Sequence, residues 1–214
     1  MSQLAMWFTL FIVALIIIVL SVLYKKKFTI KELTLIGLMA ALSCVMYTFF
    51  RIPFAVGGSK SSFHLGNTFT VLTALLLDGV SGGLAGAIGL SLADVLAGDM
   101  DYAITTFLLK FIIGITCGFF AHRVFRIRLH SRKEGISYYL RVAGCAFSGL
   151  FVNVFTDPIL GYFRKTLIQG QPAEIATYLA KITAGVTLVN SILSCACAVI
   201  FFLALEPVLK KLLK

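Results

Sequence analysis

The sequence predicts an all-α integral membrane protein, a six-helix bundle preceded by one extra N-terminal transmembrane helix. Three observations carry that reading. Of the 214 residues 59% are hydrophobic and only 13% charged, with a mean hydropathy of +0.98, where a soluble domain carries about 25% charged residues. The formal charge of +10 is gathered rather than spread: Lys25–Lys27 and Lys31, the stretch 123–141, and Lys210, Lys211 and Lys214 hold 13 of the 19 basic residues. Between those clusters lie apolar runs long enough to span a bilayer.

The first run, "LAMWFTLFIVALIIIVLSVLY" at 4–24, carries no charge and ends on "KKK". Its leader "MSQ" has no basic residue and its lysines lie on the far flank, so it reads as a retained helix rather than a cleaved leader. Residues 1–27 are therefore set apart from a membrane domain at 28–214. Six further spans follow at about 33–50, 64–78, 80–98, 102–122, 139–163 and 178–206. Seven crossings put the N-terminus outside, the C-terminus in the cytoplasm, and every basic cluster on the cytoplasmic side, as the positive-inside rule requires. The loops at 51–63 and 164–177 and the turn "GDMDYA" then lie outside. A basic charge placed this way meets anionic lipid headgroups, not nucleic acid.

The span at 64–78 is short, and the next carries Gly82, Gly83, Gly86 and Gly89 just after Gly79. Gly79–Gly83, Gly82–Gly86 and Gly114–Gly118 are small-xxx-small pairs that let helices approach closely. Short, glycine-interrupted helices also flank transporter sites. Both readings stand.

A charged side chain at mid-membrane costs about 2.5–3.5 kcal/mol on insertion scales. Asp94 and Lys110 each lie in a span, in its outer half, and are placed either to form a structural ion pair or to meet a ligand. "NVFTDP" sets Asn153 and Asp157 on one helix face, with Pro158 loosening the outer end. Thr183, Thr187, Asn190 and Ser194 form a polar stripe on the last helix. Asn67 opens its helix just after His64. The expectation is a polar pocket open to the outside over an apolar floor. Loop 51–63 is either a gate above that pocket or a plain connector.

No phosphate loop, no HExxH or GxSxG motif and no metal-spaced Cys/His pair is present, so no cofactor or metal is expected. His122 and His130 fall in the basic loop and are expected to be solvated. The five cysteines lie in apolar runs and read as packing residues. Two rivals to a binding protein remain: an intramembrane enzyme working through Asp94 and Asp157, and a scaffold without catalytic activity.

The stretch 63–125 carries HLGN at 64–67, LADxLAG at 92–98 and a helix with Lys110 and Gly114. In that order it resembles the substrate-binding S components of energy-coupling factor (ECF) transporters, most closely the riboflavin-transporter group, and the likeness extends more weakly over 33–212. The resemblance implies an S-component-like bundle in a bacterial plasma membrane. It implies a vitamin-like substrate held near the outer face by Asn67, Asp94, Lys110, Asn153, Asp157, Asn190 and His64. It also implies docking on a transmembrane coupling subunit carried by two ATPases. The docking pattern of small residues falls here on Gly37, Ala40, Ala41 and Cys44. The helix at 1–24 departs from the usual six.

Overall fold

The computed structural model describes residues 27–56 and 59–212, with side chains other than those of 56, 59, 60 and 209–212, and isolated positions between 12 and 24. The first helix expected at 4–24 lies outside this continuous part. Six helices and one hairpin make up the described bundle: α1 (Ile30–Phe49), β1 (Ile52–Val56), β2 (Ser59–Phe63), α2 (Asn67–Leu76), α3 (Gly79–Leu96), α4 (Met100–Phe119), α5 (Ile136–Phe163) and α6 (Ala173–Leu212). All the helices except α2 are long and apolar enough to cross a membrane. At ten residues α2 is only about 15 Å long.

Local chemistry sets the helix starts. A capping box closes α1: the Thr29 amide donates to Glu32 Oε2 at 2.9 Å, and the Glu32 amide to Thr29 Oγ1 at 3.2 Å. Asp78 caps α3 by accepting from the Ser81 amide at 2.9 Å and from its hydroxyl at 3.0 Å.

Between helices, glycine decides the spacing. A Cβ on Gly86 would overlap Thr70 of α2, one on Gly89 the Ala40 carbonyl of α1, and one on Gly114 the backbone of Gly83. Thus α3 sits at the centre, with α1 and α2 against one glycine face and α4 against the other. The glycines are packing residues.

The apolar core fills the middle of this bundle. Leu72, Leu75, Ile113, Val142 and Leu150 are at most 1% exposed, and Ala198 and Phe202 of α6 join the same cluster. Apolar side chains that face outward, such as Leu33, Phe151, Phe155 and Ile192, are free to meet lipid.

Loop 51–63, expected as a gate or a plain connector, is an antiparallel hairpin in register Ile52↔Phe63 to Val56↔Ser59. Phe54 and Phe63 stack across it at 4.7 Å. The segment 164–177 is not a loop throughout. Helix α5 runs on as a π turn, Arg164–Ile168, and α6 already begins at Ala173. A second π turn, Phe120–Val124, ends α4.

At the end of the bundle that carries the basic stretch 123–141, cations close the short helix α2. His122 Nε2 donates to the Ala74 carbonyl at 2.8 Å, and Arg128 donates to the carbonyls of Leu76 (3.2 Å) and Leu77. His122 is therefore half-buried in the bundle and not solvated as expected, because it satisfies a carbonyl that α2 leaves open. His130 stays at the surface beside Glu134, at 2.8 Å. The Ser131 amide, with His130 adjacent, holds the Glu134 carboxyl below its ordinary range. Here too the interior is less purely apolar than expected. Glu206 is buried, accepts from Tyr138 Oη at 2.7 Å and faces Arg132 at 3.6 Å.

Candidate functional site

The opposite end holds a cavity of about 430 Å³, within the usual range for small-molecule sites. Helices α1, α3, α4, α5 and α6 and the hairpin all contribute to its wall. Asp94 arrives from α3 because "LADV" places it two residues before the helix ends at Leu96. Gly98, at φ +82°, then turns the chain back into α4. That return brings Thr106 to Asp94, its hydroxyl donating to Oδ2 at 2.5 Å. One turn further along α4, Lys110 reaches the same space.

Helix α5 contributes Asp157, which is 8% exposed. Its two oxygens accept separate hydroxyls: Tyr102 Oη to Oδ1 at 2.5 Å and Thr187 Oγ1 to Oδ2 at 2.7 Å. One carboxylate thus ties α4, α5 and α6 together beneath the cavity mouth. At the rim, Arg164 Nη1 and Gln169 Nε2 both donate to Asp101 Oδ2 at 2.6 Å, and the Arg164 guanidinium lies 4.6 Å from the Tyr102 ring centre.

The hairpin covers one side. Asn190 of α6 accepts from the His64 amide at 3.2 Å and donates to the Ser62 carbonyl at 3.1 Å. Tyr47 of α1 meets the His64 ring edge-on at 4.7 Å, and the Arg51 guanidinium lies 5.2 Å from the Tyr47 ring. Tyr47, His64 and Asn190 all line the cavity.

The structure therefore brings His64, Asp94, Lys110, Asp157 and Asn190 to one cavity, and leaves two expected residues out. Asn67 and Asn153 are 2% and 1% exposed and do not line it. Asn153 lies one helical turn deeper than Asp157, and neither atom of its amide has a hydrogen-bond partner among the described residues. Asn67 Oδ1 is likewise bare. Asn190 faces the cavity, but its amide is bonded to the hairpin. The possible ion pair of Asp94 with Lys110 does not form, since Asp94 bonds to Thr106 instead.

The small residues of α1 separate as well. Gly37 and Ala41 are exposed and Cys44 is half-buried, while Ala40 is 6% exposed and packs against Gly89. Ala40 thus belongs to the α1–α3 contact and not to an outer face. Sequence reasoning passed over Tyr47, Tyr102, Thr106, Arg164 and Lys165. Tyr102 and Thr106 sit at helical spacing from Lys110 on the same helix, while Tyr47 shares α1 with none of the polar residues singled out. Lys165 gave no such signal, because its position depends on the π turn.

No group of three His, Cys, Asp or Glu among the described residues is set to hold a metal ion. Residues 27–207 match the family model described as ECF-type riboflavin transporter, S component. The chain belongs to that family. No curated protein and no solved structure matches it. It is thus a multi-pass membrane protein and a vitamin-uptake S component, its family being the substrate-binding part of a transporter that partners with an ECF module. For an S component the cavity just described is the natural place to look for the substrate.

Proposed function

We propose that this S component captures a vitamin-like molecule from outside the cell in the cavity at the hairpin end and passes it to an ATP-driven coupling module. The observation that carries the reading is the shape of the polar distribution. Asp94, Lys110 and Asp157 from three helices converge on one cavity, and an apolar core separates it from the basic end. A pore would need polar lining throughout; a receptor needs it on one side only. With the basic stretch in the cytoplasm, the cavity opens outward.

Lys110 and the two aspartates supply charge-assisted hydrogen bonds to substrate. His64 and Tyr47 give it a face to lie against, and Asn190 holds the hairpin above it. Riboflavin is the first candidate substrate. Delivery requires the transmembrane coupling subunit and two ATPases, for which Gly37, Ala41 and Cys44 on α1 offer a small-residue docking strip.

The test is direct. Purified chain, titrated with riboflavin and with whatever compound it retains through mild detergent extraction, binds at least one of them. The variant Lys110→Ala, still eluting as a single species, binds tenfold or more weakly, equivalent to about 1.4 kcal/mol. Unchanged affinity removes Lys110 from the site. Failure of the intact transporter to accumulate any such compound removes the function.

A further inference from the structure

We infer that the hairpin beside the cavity is held by the bilayer: its outer strand β1, with Phe49 and Phe50 leading into it, is seated in the lipid headgroup layer at the cavity end. The seat follows from the fold, and its hold on substrate rests on the receptor reading above. The two strands differ in kind. β2, "SKSSF", is mostly polar, packs on α6 and gives the cavity wall Ser61 and Ser62, with the Ser62 carbonyl bonded to Asn190. β1, "IPFAV", is apolar throughout and gives the cavity wall no residue.

Phe54 turns back to stack on Phe63, but Ile52, Pro53 and Ala55 stay exposed. Phe49, Phe50 and Ile52 are 75%, 64% and 68% exposed. A hairpin standing in water turns its apolar residues to the protein and its polar ones outward. Here the arrangement is reversed, and large apolar side chains crowd the outer edge.

Continuity with the lipid-facing surface says what covers that edge. Leu38, Val45 and Phe49 recur at spacings of 7 and 4, which sets them on one exposed stripe of α1. The 20 residues of α1 measure about 30 Å, the thickness of the hydrocarbon layer. Phe49 therefore closes the stripe where hydrocarbon gives way to headgroups, and Phe50 and Ile52 carry it past the helix end. Apolar rings lie well at that depth. Arg51 stands between them with its stem along the apolar edge and its charge free to rise to lipid phosphates. The same guanidinium lies 5.2 Å from the ring of Tyr47, on the cavity wall. The hairpin is thus fastened on two sides, to α6 through Asn190 and to the membrane through Phe50 and Ile52, and it swings open only by leaving one of them.

The experiment uses the full chain in phosphatidylcholine vesicles. Its single tryptophan is removed by Trp7→Phe, and Phe50→Trp or Ile52→Trp is introduced in that background, each variant checked for a single elution peak. Lipids brominated close to the headgroup quench both emissions more strongly than lipids brominated near the chain ends. Phe151→Trp, on the lipid-facing side of α5 nearer mid-span, shows the opposite order. Emission like that of free tryptophan, unquenched by either lipid, places the edge in water and overturns the inference. Blue-shifted emission without quenching means that protein covers the edge, and overturns it equally. The hold on substrate is read by stopped-flow in the same vesicles. Phe50→Ser with Ile52→Ser releases bound riboflavin, or the compound the chain retains, about threefold faster than the parent. Phe50→Leu with Ile52→Leu, which keeps the edge apolar, releases it at the parent's rate. No acceleration, or an equal one in both double variants, overturns the bilayer's hold on the hairpin. If the chain retains no compound and takes up none, the receptor reading fails, and the quenching order still decides the seat.

Discussion

Two π turns, at opposite ends of the bundle, do the same mechanical thing with opposite results. Phe120–Val124 at the basic end sets His122 against the Ala74 carbonyl, and the loop beyond it adds Arg128 to the carbonyls of Leu76 and Leu77. Arg164–Ile168 at the cavity end sets Lys165 on the cavity wall, on the same wall as Asp157 and Asp101. π turns recur where a helix must aim a side chain that regular α geometry would misplace. At the basic end the aimed group closes the fold on itself. At the cavity end the aimed group faces the cavity instead.

The comparison presupposes that the helices between the two ends keep a fixed register, and the strongest way to break it is to spoil that register. Gly114→Leu forces a side chain into the Gly83 backbone. The expected outcome is loss of the folded, singly eluting protein, since neither backbone can retreat without opening the α3–α4 contact. Size-exclusion of the detergent-solubilised variant checks it, and a well-behaved variant with normal binding would show the packing to be looser than described.

The basic end should then be costly to stability and silent for binding. Tyr138→Phe leaves the buried Glu206 carboxylate without its 2.7 Å donor. A loss of about 1–3 kcal/mol follows, read as a melting point lowered by several degrees, with substrate affinity within twofold of the parent. A large affinity change would mean that the two ends communicate. Asn190→Ala inverts the pattern in a smaller measure. It removes both bonds holding Ser62 and His64, so dissociation of bound substrate should speed up about three- to tenfold in stopped-flow while stability changes little. Smallest of all is Glu134→Ala at the exposed basic loop, where the His130 contact is open to water. Exposed pairs of this sort add little to stability, and both melting point and affinity should stay within error.

Much of this was legible in the chain. The long spans follow from apolar runs, and Asp94, Lys110 and Asp157 stand out because charge inside a bilayer is retained for a reason. The glycine pairs announce close helix contacts, and the structure uses them so. What escaped reading has physical causes. Asn153 shares a helix face with Asp157, yet a face does not fix depth, and it lies beneath the cavity instead of on it; Asn67 opens α2, a helix that gives the cavity none of its lining residues. Ala40 belongs to the right helix but the wrong side, because Gly89 draws it inward.

The hairpin had a signal that passed unread. "IPFAV" and "SKSSF" are separated by two glycines, the composition that two-residue turns demand. Lys165 had none. Helical periodicity counts 3.6 residues per turn, and a π turn breaks that count where it matters.

A π turn accommodates an additional residue relative to the regular helix that precedes it, and this gives 164–168 an unusual sensitivity to chain length. Removing Arg164 would restore ordinary winding and move each following residue back by one position, about 100° around the helix axis. Lys165 would then swing off the wall and another side chain would take its bearing. A single-codon deletion could re-aim the receptor toward a different chemical partner while leaving its lipid-facing architecture intact, which is a shorter evolutionary path to new selectivity than rebuilding the wall residue by residue.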